Sequence, residues 1–134
     1  MHIMQSQYKA IRLANNELPK LENIINPILS LQFDPNNILW LDLSFNAISG
    51  VSELLVEHFP NLTTLYLHAN KISRMSDIRK LSGLTKLKSL TMYGNPVEDN
   101  KHYRHMMLYS HPNIVQIDFC TITQRQRDQV IYFF

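Results

Sequence analysis

The stretch ILWLDLSFNAI, from Ile38 to Ile48, decides the fold of this chain. Its apolar side chains stand at Ile38, Leu41, Leu43 and Ile48, and Asn46 stands between the last two. The same template recurs as LTTLYLHANKI over residues 62–72 and as LKSLTMYGNPV over residues 87–97, and a weaker first copy reads YKAIRLANNEL over residues 8–18. Successive copies of one template predict a solenoid in which each copy forms one coil and the coils stack on a common core.

Each copy predicts a short strand followed by a bend. Leu65 and Leu67 alternate with Tyr66, so one face of the strand is apolar. The Asn that follows can satisfy otherwise unpaired backbone groups of its own bend and of the neighbouring coil. We therefore predict a buried ladder of four carboxamides, formed by Asn16, Asn46, Asn70 and Asn95. Parallel strands on one side and bulkier helices on the other make the sheet concave.

A partial fifth copy closes the pattern. Ile114, Ile117 and Phe119 keep the spacing of the core positions, but Ile122 stands where the ladder Asn would be. A repeat that keeps its core and loses its Asn is typical of a terminal cap. We predict a single α/β solenoid domain over residues 1–134, with four repeats that start near 8, 38, 62 and 87 and a cap over residues 98–134.

The connecting segments predict short helices on the convex side. Prolines and capping residues set their bounds. The first expected helix is capped at Asn26-Pro27 and supplied by Ile28, Leu29, Leu31 and Phe33. The second runs from Ser52 to about His58, and the third from Asp99 or Asn100 to about Ser110. The last is capped by Thr123 and covers residues 124–134, with Arg125, Arg127 and Asp128 facing solvent. Between Ile72 and Leu87 apolar residues recur every third position, which favours 3₁₀ turns or one short helix.

The copies LDLSFNAIS, LYLHANKISR and LTMYGNPVEDNKHYR, followed by DFCTITQRQR, resemble the short-repeat intracellular leucine-rich repeat family over nearly the whole chain. Residues 95–127 also resemble the C-terminal cap shared by the spliceosomal A-prime subunit and the leucine-rich-repeat axonemal dynein light chain. The matching positions are Asn95-Pro96, Tyr103-Arg104, Asp118-Phe119 and Arg127. The resemblance implies an intracellular solenoid that binds other proteins, and it suggests an association with cilia or flagella. The family's N-terminal extension has no counterpart here.

Composition restricts the partners. A net charge of +2 over 134 residues gives no bulk attraction to nucleic acid or to an anionic membrane. The single cysteine, Cys120, excludes an internal disulfide framework and suits a reducing compartment. No apolar run approaches the ~20 residues that a membrane-spanning helix needs, and the N-terminus lacks the apolar core of a signal peptide. We expect a cytoplasmic protein.

The reactive residue types of the sequence do not form a recognisable catalytic pattern. The chain has three glycines and no glycine-rich phosphate loop. His102 and His105 have a spacing that could share a metal, but no third ligand is evident, so we interpret them as a solvated helix face. His68 is expected near Asp42 on the neighbouring strand, as a surface hydrogen bond and not a catalytic dyad. Cys120 is expected to be a partly buried structural thiol. We predict no catalytic residue, cofactor or metal.

The concave face is the candidate binding site. The template points its second, third, fifth and seventh positions away from the core, which brings Trp40, Tyr66 and Tyr93 onto one face with Phe45 at its rim. Aromatic side chains flanked by charges of both signs are typical of protein-binding hot spots. The candidate protein-binding residues are Arg12, Trp40, Asp42, Tyr66, His68, Thr91 and Tyr93. The alternative is that Trp40 only packs over the neighbouring strands.

Three functions follow in order of preference. The first is a non-catalytic protein-binding scaffold that docks a helix or an extended peptide on its concave face. The second is a ribonucleoprotein subunit that acts through a protein partner, because mixed concave charges disfavour direct phosphate binding. The third, an enzyme, lacks a mechanism. We expect a monomer, or weak self-association through the N-terminal edge around Ile3, Met4, Ile11 and Leu13.

Overall fold

A computed structural model of the chain describes residues 9–30 and 34–133, and for residues 131–133 it describes the backbone alone. The strands are β1 (Ala10–Arg12), β2 (Trp40–Asp42), β3 (Thr64–Tyr66), β4 (Ser89–Thr91), β5 (Gln116–Ile117) and β6 (Cys120–Thr121). The helices are α1 (Glu22–Ser30), α2 (Glu53–His58), α3 (Met75–Lys80), α4 (Tyr103–Ser110) and α5 (Gln124–Phe133). Short 3₁₀ helices span Pro35–Asn37, Leu81–Gly83 and Pro96–Asp99.

The strands form one sheet in chain order. β1 to β5 pair in parallel, and β6 pairs antiparallel with β5. The register aligns the central apolar residue of every parallel strand in one column, formed by Ile11, Leu41, Leu65, Leu90 and Ile117. Leu43, Leu67 and Met92 are fully buried beside that column. The predicted fold class, an α/β solenoid with a parallel sheet, is confirmed.

The first coil lies at the open end of the stack. Its apolar residues Ile11, Leu13 and Leu18 are only partly buried, whereas Leu41, Leu43 and Ile48 of the second coil are buried. Each apolar side chain of an inner coil packs between two neighbours, but β1 has a described neighbour on one side only. Residues 1–8, including the expected start of the first copy and the edge residues Ile3 and Met4, lie outside the described part of the structure.

Two of the expected helix caps are present. Ser52 caps α2, because its side chain accepts a hydrogen bond from the Leu54 amide, and Leu55 and Phe59 bury the inner face of that coil. Thr123 caps α5 through a reciprocal pair of bonds: its hydroxyl accepts from the Gln126 amide, and the Gln126 side chain accepts from the Thr123 amide. This reciprocal arrangement is a capping box.

The expected start of the first helix is wrong. α1 begins at Glu22, so Pro27 lies inside the helix and not at its start. Proline in a helix interior removes one backbone hydrogen bond. Burial of Ile24, Ile25 and Ile28 on the core face outweighs that loss. Leu31 and Phe33, which we expected to continue this helix, lie outside the described residues.

The expected cap of α4 is present in part. The regular helix begins at Tyr103, and the Asn100 side chain accepts a hydrogen bond from the amide of His102 in the turn that leads into it. Asp99 does not cap the helix, because it belongs to the preceding 3₁₀ turn over residues 96–99. Tyr103 and Met107 are buried as expected, and Met106 packs against the core.

The third coil combines both of the structures that its three-residue period allows, because α3 continues directly into the 3₁₀ helix Leu81–Gly83. Gly83 lies where this coil passes close to α2. A Cβ atom added there would stand 2.7 Å from Cγ1 of Val56. Glycine is therefore required by the close packing of the two coils.

The cap departs from the repeat at Phe119. Instead of continuing inwards, the chain reverses through Asp118 and Phe119, which both have positive φ angles of 52° and 64°. A two-residue turn with both central φ positive suits a tight antiparallel hairpin, and β5 pairs with β6 on either side of it. Phe119 is therefore 51% exposed and not part of the core, and Cys120 is exposed and not partly buried.

Candidate functional site

The exposed face of the sheet, which is the concave side of such a solenoid, carries a continuous group of aromatic rings. We call it the concave aromatic cluster, and it consists of Trp40, Phe45, Tyr66, His68, Tyr93 and Phe119. Neighbouring strands bring these rings together in two ways: His68 and Tyr93 hold the same position in their repeats, whereas Trp40 and Tyr66 meet diagonally, since the residue that pairs with Tyr66 is Asp42. Trp40 and Tyr66 meet edge to face with their ring centres 5.5 Å apart.

His68 is the centre of this cluster. Its ring stacks on Tyr93 with the ring centres 4.7 Å apart and the planes only 6° from parallel. Phe45 meets it edge-on at 5.4 Å, and Phe119 does so at 5.7 Å. Phe119 also lies 5.2 Å from Tyr66, so the hairpin at the end of the sheet folds an additional ring over the face.

Two exposed members of the cluster stand on left-handed backbone. Phe45 has a φ of 55° and is 57% exposed, and Phe119 has a φ of 64°. Left-handed backbone costs a residue with a side chain ~1–2 kcal/mol. In the fourth coil, Gly94 takes the place that Phe45 holds in the second, with a φ of 73°. Phe45 therefore accepts strain that glycine would avoid, and it contributes little burial in return.

The sequence predicted a surface hydrogen bond between His68 and Asp42, but the structure gives His68 another partner. Its Nδ1 lies 2.7 Å from Oγ1 of Thr91, and both side chains are buried. Burial lowers the pKa of His68, and this effect outweighs the nearby carboxylates of Asp42 and Asp118, which raise it. His68 is thus a neutral, positioned ring at neutral pH.

Thr91 belongs to the support of the site and not to its surface. We expected it to contact a partner, but it is fully buried. Its hydroxyl oxygen accepts a hydrogen bond from the Leu67 amide as well as contacting His68. The side chain was placed on the correct face by the repeat, but its neighbours cover it because they are larger.

Asp42 is a buried residue whose two carboxylate oxygens have different partners. Oδ1 accepts hydrogen bonds from the hydroxyl and the amide of Ser44, at 2.6 and 3.0 Å. Oδ2 lies 3.5 Å from Nε of Arg12, whose side chain is 75% exposed. The predicted site residues Arg12 and Asp42 therefore form an ion pair at the edge of the concave face.

Asp118 closes the fourth coil instead of lying free on the concave face. Its Oδ1 accepts from the amides of Met92 and Tyr93, at 2.7 and 3.1 Å, and its Oδ2 accepts the hydroxyl of Tyr103 at 2.6 Å. The carboxylate replaces the backbone carbonyl that a complete fifth strand would supply. The loss of the ladder Asn in the fifth copy was the available sequence signal that the chain turns here.

The four ladder residues occupy equivalent positions with different burial. Asn70 donates to the carbonyl oxygens of Leu43 and Leu67, and Asn95 donates to those of Leu67 and Met92. The side-chain oxygen of each accepts an amide of the preceding coil. Asn46 repeats the pattern half-buried, but Asn16 is exposed, because no described coil precedes it. The prediction that all four carboxamides are buried is therefore wrong for Asn16 and only partly correct for Asn46.

Arg127 is a second correction to the predicted surface. We expected it on the solvent face of α5, but its guanidinium reaches inwards and donates to the carbonyl oxygens of Leu108 and Ile114. Leu108 lies in the last turn of α4 and Ile114 lies just before β5, so one side chain of α5 holds these two segments of the cap together. A helical pattern could not reveal partners so distant in sequence.

In residues 9–30 and 34–133, no group of three or more His, Cys, Asp or Glu side chains could hold a metal ion. His102 and His105 lie at the start of α4 and are both partly buried. In the described part of the chain, every helix falls short of the length and apolar character that a membrane crossing requires.

Comparisons of the sequence with known proteins agree with this architecture. A family model described as "Leucine-rich repeat" matches residues 2–134. The leucine-rich repeat-containing protein 51 of Bos taurus is 38% identical over 123 residues, which are 92% of this chain and 64% of that protein. The probable U2 small nuclear ribonucleoprotein A' of Drosophila melanogaster is 35% identical over 128 residues, 96% of this chain and 45% of that one. The chain thus spans less than two thirds of the length of these curated relatives.

Comparisons with solved structures give the same fold. The crystal structure of the Drosophila melanogaster SNF/U2A' complex matches with a TM-score of 0.75 and 29% identity, over 93% of this chain and 80% of that chain. The Mex67 leucine-rich repeat domain from Chaetomium thermophilum matches with a TM-score of 0.72 over 92% of this chain and 90% of that chain. At 22% identity, the second match shows the fold alone. The family resemblance expected from the repeats is confirmed.

Proposed function

Because this chain belongs to the leucine-rich repeat family, we propose that it is a non-catalytic scaffold that binds another protein through its concave sheet. The partner presents a helix or an extended peptide to the concave aromatic cluster. Leucine-rich repeat proteins generally act as interaction modules, and the solved relative that shares 29% identity is part of a protein complex. An open sheet also excludes water poorly, which disfavours catalysis.

The single observation that carries the proposal is the exposure of Phe45 and Phe119 on left-handed backbone. An exposed phenylalanine adds little to folding, and left-handed backbone makes it unfavourable. Strained, exposed side chains that converge on one face are typical of functional sites. Both rings contact His68, so the two residues extend one apolar surface that a partner can bury.

The experiment requires a partner purified after cross-linking in the native cell. Its affinity for the full chain is then compared with that for the double variant Phe45→Ala and Phe119→Ala. We expect binding to weaken more than about tenfold, the effect of losing two aromatic hot-spot side chains. Tyr109→Ala is the matched control, because Tyr109 is also an exposed aromatic side chain, at 58%, but lies on α4. It should leave affinity unchanged.

A second variant tests the residues that lie deeper in the face. Replacing Trp40, Tyr66 and Tyr93 together by Ala should also weaken the partner more than about tenfold. Circular dichroism must first show that the variant is folded, since these rings are half-buried. Unchanged affinity in both multiple variants would place the binding site on the convex face or at an edge of the sheet.

The second candidate is a ribonucleoprotein subunit that acts through a protein partner. The relative named as a probable U2 small nuclear ribonucleoprotein A' favours it. The charges of the concave face are mixed: Arg12 pairs with Asp42, and the Lys88 ammonium donates to the carbonyl oxygen of Asn113. Direct phosphate binding favours a basic stripe. We expect no RNA affinity at low salt unless the protein partner is present; affinity of the isolated chain would contradict this.

Localisation and assembly complete the proposal. We propose a cytoplasmic protein that also associates with the cilium or flagellum, as the family resemblance suggests. Fluorescence microscopy of the tagged full-length protein in ciliated cells tests both. The partly buried Ile11 and Leu13 at the edge of the first coil favour weak self-association there. Light scattering that shows only monomer at high concentration would contradict self-association.

A further inference from the structure

A cavity of about 520 Å³ opens on the concave face. Its principal lining residues are Arg12, Asp42, Phe45, Tyr66, His68 and Phe119. We propose that this cavity binds the guanidinium group of an arginine side chain on the protein partner. The inference rests on the proposed function and deepens it, because it names the side chain that the partner must present.

Asp42 supplies the charge. Its side chain is 10% exposed, and Ser44 holds Oδ1 through two hydrogen bonds. Oδ2 contacts one cation in the described part of the chain, the Nε of Arg12 at 3.5 Å. This distance exceeds that of a good hydrogen bond, and a carboxylate oxygen has two lone pairs. Because Asp42 lines the cavity, a lone pair of its Oδ2 can accept a hydrogen bond from a second, closer donor.

The aromatic rings supply the rest of the recognition. Phe45, Tyr66 and Phe119 surround His68, with ring centres 5.2 to 5.9 Å apart across the contacts that join them. Cations bind over aromatic faces within about 6 Å of the ring centre. His68 does not oppose this, since burial lowers its pKa and leaves the ring neutral at neutral pH.

The residues favour arginine over other ligands. A guanidinium is planar and weakly hydrated, so it can lie on the face of an exposed aromatic ring and loses less on leaving water than an ammonium group does. A phosphate or a carboxylate could pair with the exposed Arg12, but it would then compete with the Asp42 carboxylate that already faces this guanidinium. The described residues hold no group of three ligands suited to a metal ion. A buried carboxylate beside aromatic rings therefore matches the chemistry of an arginine side chain.

Titration of the full chain with N-acetyl-arginine amide, followed by amide NMR, tests the site. We expect the signals of Asp42, Tyr66, His68 and Phe119 to shift, with millimolar affinity. N-acetyl-citrulline amide has nearly the same shape without the charge, and it should bind at least about threefold more weakly. Equal affinity for the two compounds would overturn the inference. So would shifts confined to a separate groove beside α2, which Glu22, Glu53 and Glu57 help to line.

Arg12 offers a test by gain of affinity. Arg12→Gln removes the cation that competes for Asp42, so N-acetyl-arginine amide should bind about threefold more tightly. Arg125→Gln is the matched control, because it removes an equal charge from an exposed position on α5. Asp42→Asn keeps an oxygen for Ser44 but should abolish the preference for arginine over citrulline. An unchanged preference would overturn the inference.

The two proposals can fail separately. If the Phe45/Phe119 variant and the Trp40/Tyr66/Tyr93 variant both leave the partner's affinity unchanged while N-acetyl-arginine amide still binds, the concave face is not the docking site and the inference about the partner is overturned with it. If those variants weaken the partner but Arg12→Gln does not strengthen the binding of N-acetyl-arginine amide, docking stands and the arginine site is wrong.

Discussion

Replacing Asn70 by alanine removes one rung from the middle of the carboxamide ladder. The native side chain donates to the carbonyl oxygens of Leu43 and Leu67, at 3.1 and 3.0 Å, and accepts the amide of Ile48 at 3.0 Å. All of these groups are buried. Alanine fills less space and makes none of the three bonds, so the variant separates the ladder from the apolar core.

The loss of stability depends on which backbone groups are left without any hydrogen-bond partner. The carbonyl of Leu43 still accepts from Asn46, and that of Leu67 still accepts from Asn95. The amide of Ile48 has no such substitute. One buried, unpaired amide costs about 1–3 kcal/mol, and the two weakened carbonyls and the small void add to it. We expect the free energy of unfolding to fall by about 3 kcal/mol.

Asn16→Ala is the matched control. Asn16 makes similar local bonds, to the carbonyl oxygens of Leu13 and Ala14, but it is exposed, and Leu13 also accepts from Asn46. Water replaces the lost bonds, so the change should stay within about 0.5 kcal/mol. The same substitution in the same motif thus isolates the effect of burial.

Urea unfolding at 25 °C, followed by circular dichroism, measures both variants. For a chain of this size, 3 kcal/mol corresponds to a Tm lower by roughly 10 °C. Stacked repeats can open coil by coil, which would appear as a lower dependence of the free energy on urea. An Asn70→Ala variant that loses no more stability than Asn16→Ala would refute the ladder as a source of stability.

Three further predictions test other parts of the chain. Burial lowers the pKa of His111 to about 4. Between about pH 6.5 and 4 the unfolded chain therefore binds a proton that the folded chain does not, so the natural chain loses stability as the pH falls. When urea unfolding is measured at pH 7.5 and at pH 4.5, the free energy of unfolding of His111→Leu should fall by about 2.5 kcal/mol less than that of the natural chain. Gly83→Ala should cost about 1–3 kcal/mol of unfolding free energy, because its Cβ would meet Val56, and Val56→Ala should restore most of it; no rescue would contradict the clash. Tyr103→Phe should cost about 1.5–3 kcal/mol in urea unfolding, since it removes a hydrogen bond to the charged Asp118; a neutral effect would show that the bond contributes nothing.

Much of the concave face could be predicted from the repeat alone. The template placed Trp40, Tyr66 and Tyr93 on one side of the sheet, and the structure brings them together with His68 at the centre. Side-chain direction alternates along a strand, so a repeated spacing specifies which residues share a face. The burial of Thr91 could not be predicted this way, because it depends on the size of its neighbours on other coils.

The cap shows where the repeat stops being informative. Phe119 keeps the spacing of a core residue, yet it lies exposed beside Tyr66 because the chain reverses at Asp118. The reversal is supported by Tyr103, which lies fifteen residues earlier in the sequence and donates to the Asp118 carboxylate. The inward turn of Arg127 likewise depends on carbonyls of two other elements. No local pattern contains such partners.

By itself, the sequence determined the solenoid: the apolar positions of each copy specify a strand with one buried face, and copies with the same spacing can stack in only one register. It also determined which side of the sheet carries the aromatic residues. The tertiary structure alone decided that Pro27 stands inside a helix, that Phe119 joins the concave aromatic cluster, and that Asp42 pairs with Arg12 of the neighbouring strand. Register depends on local periodicity, whereas these three features depend on competition between burial, backbone strain and charges that meet only when distant coils pack.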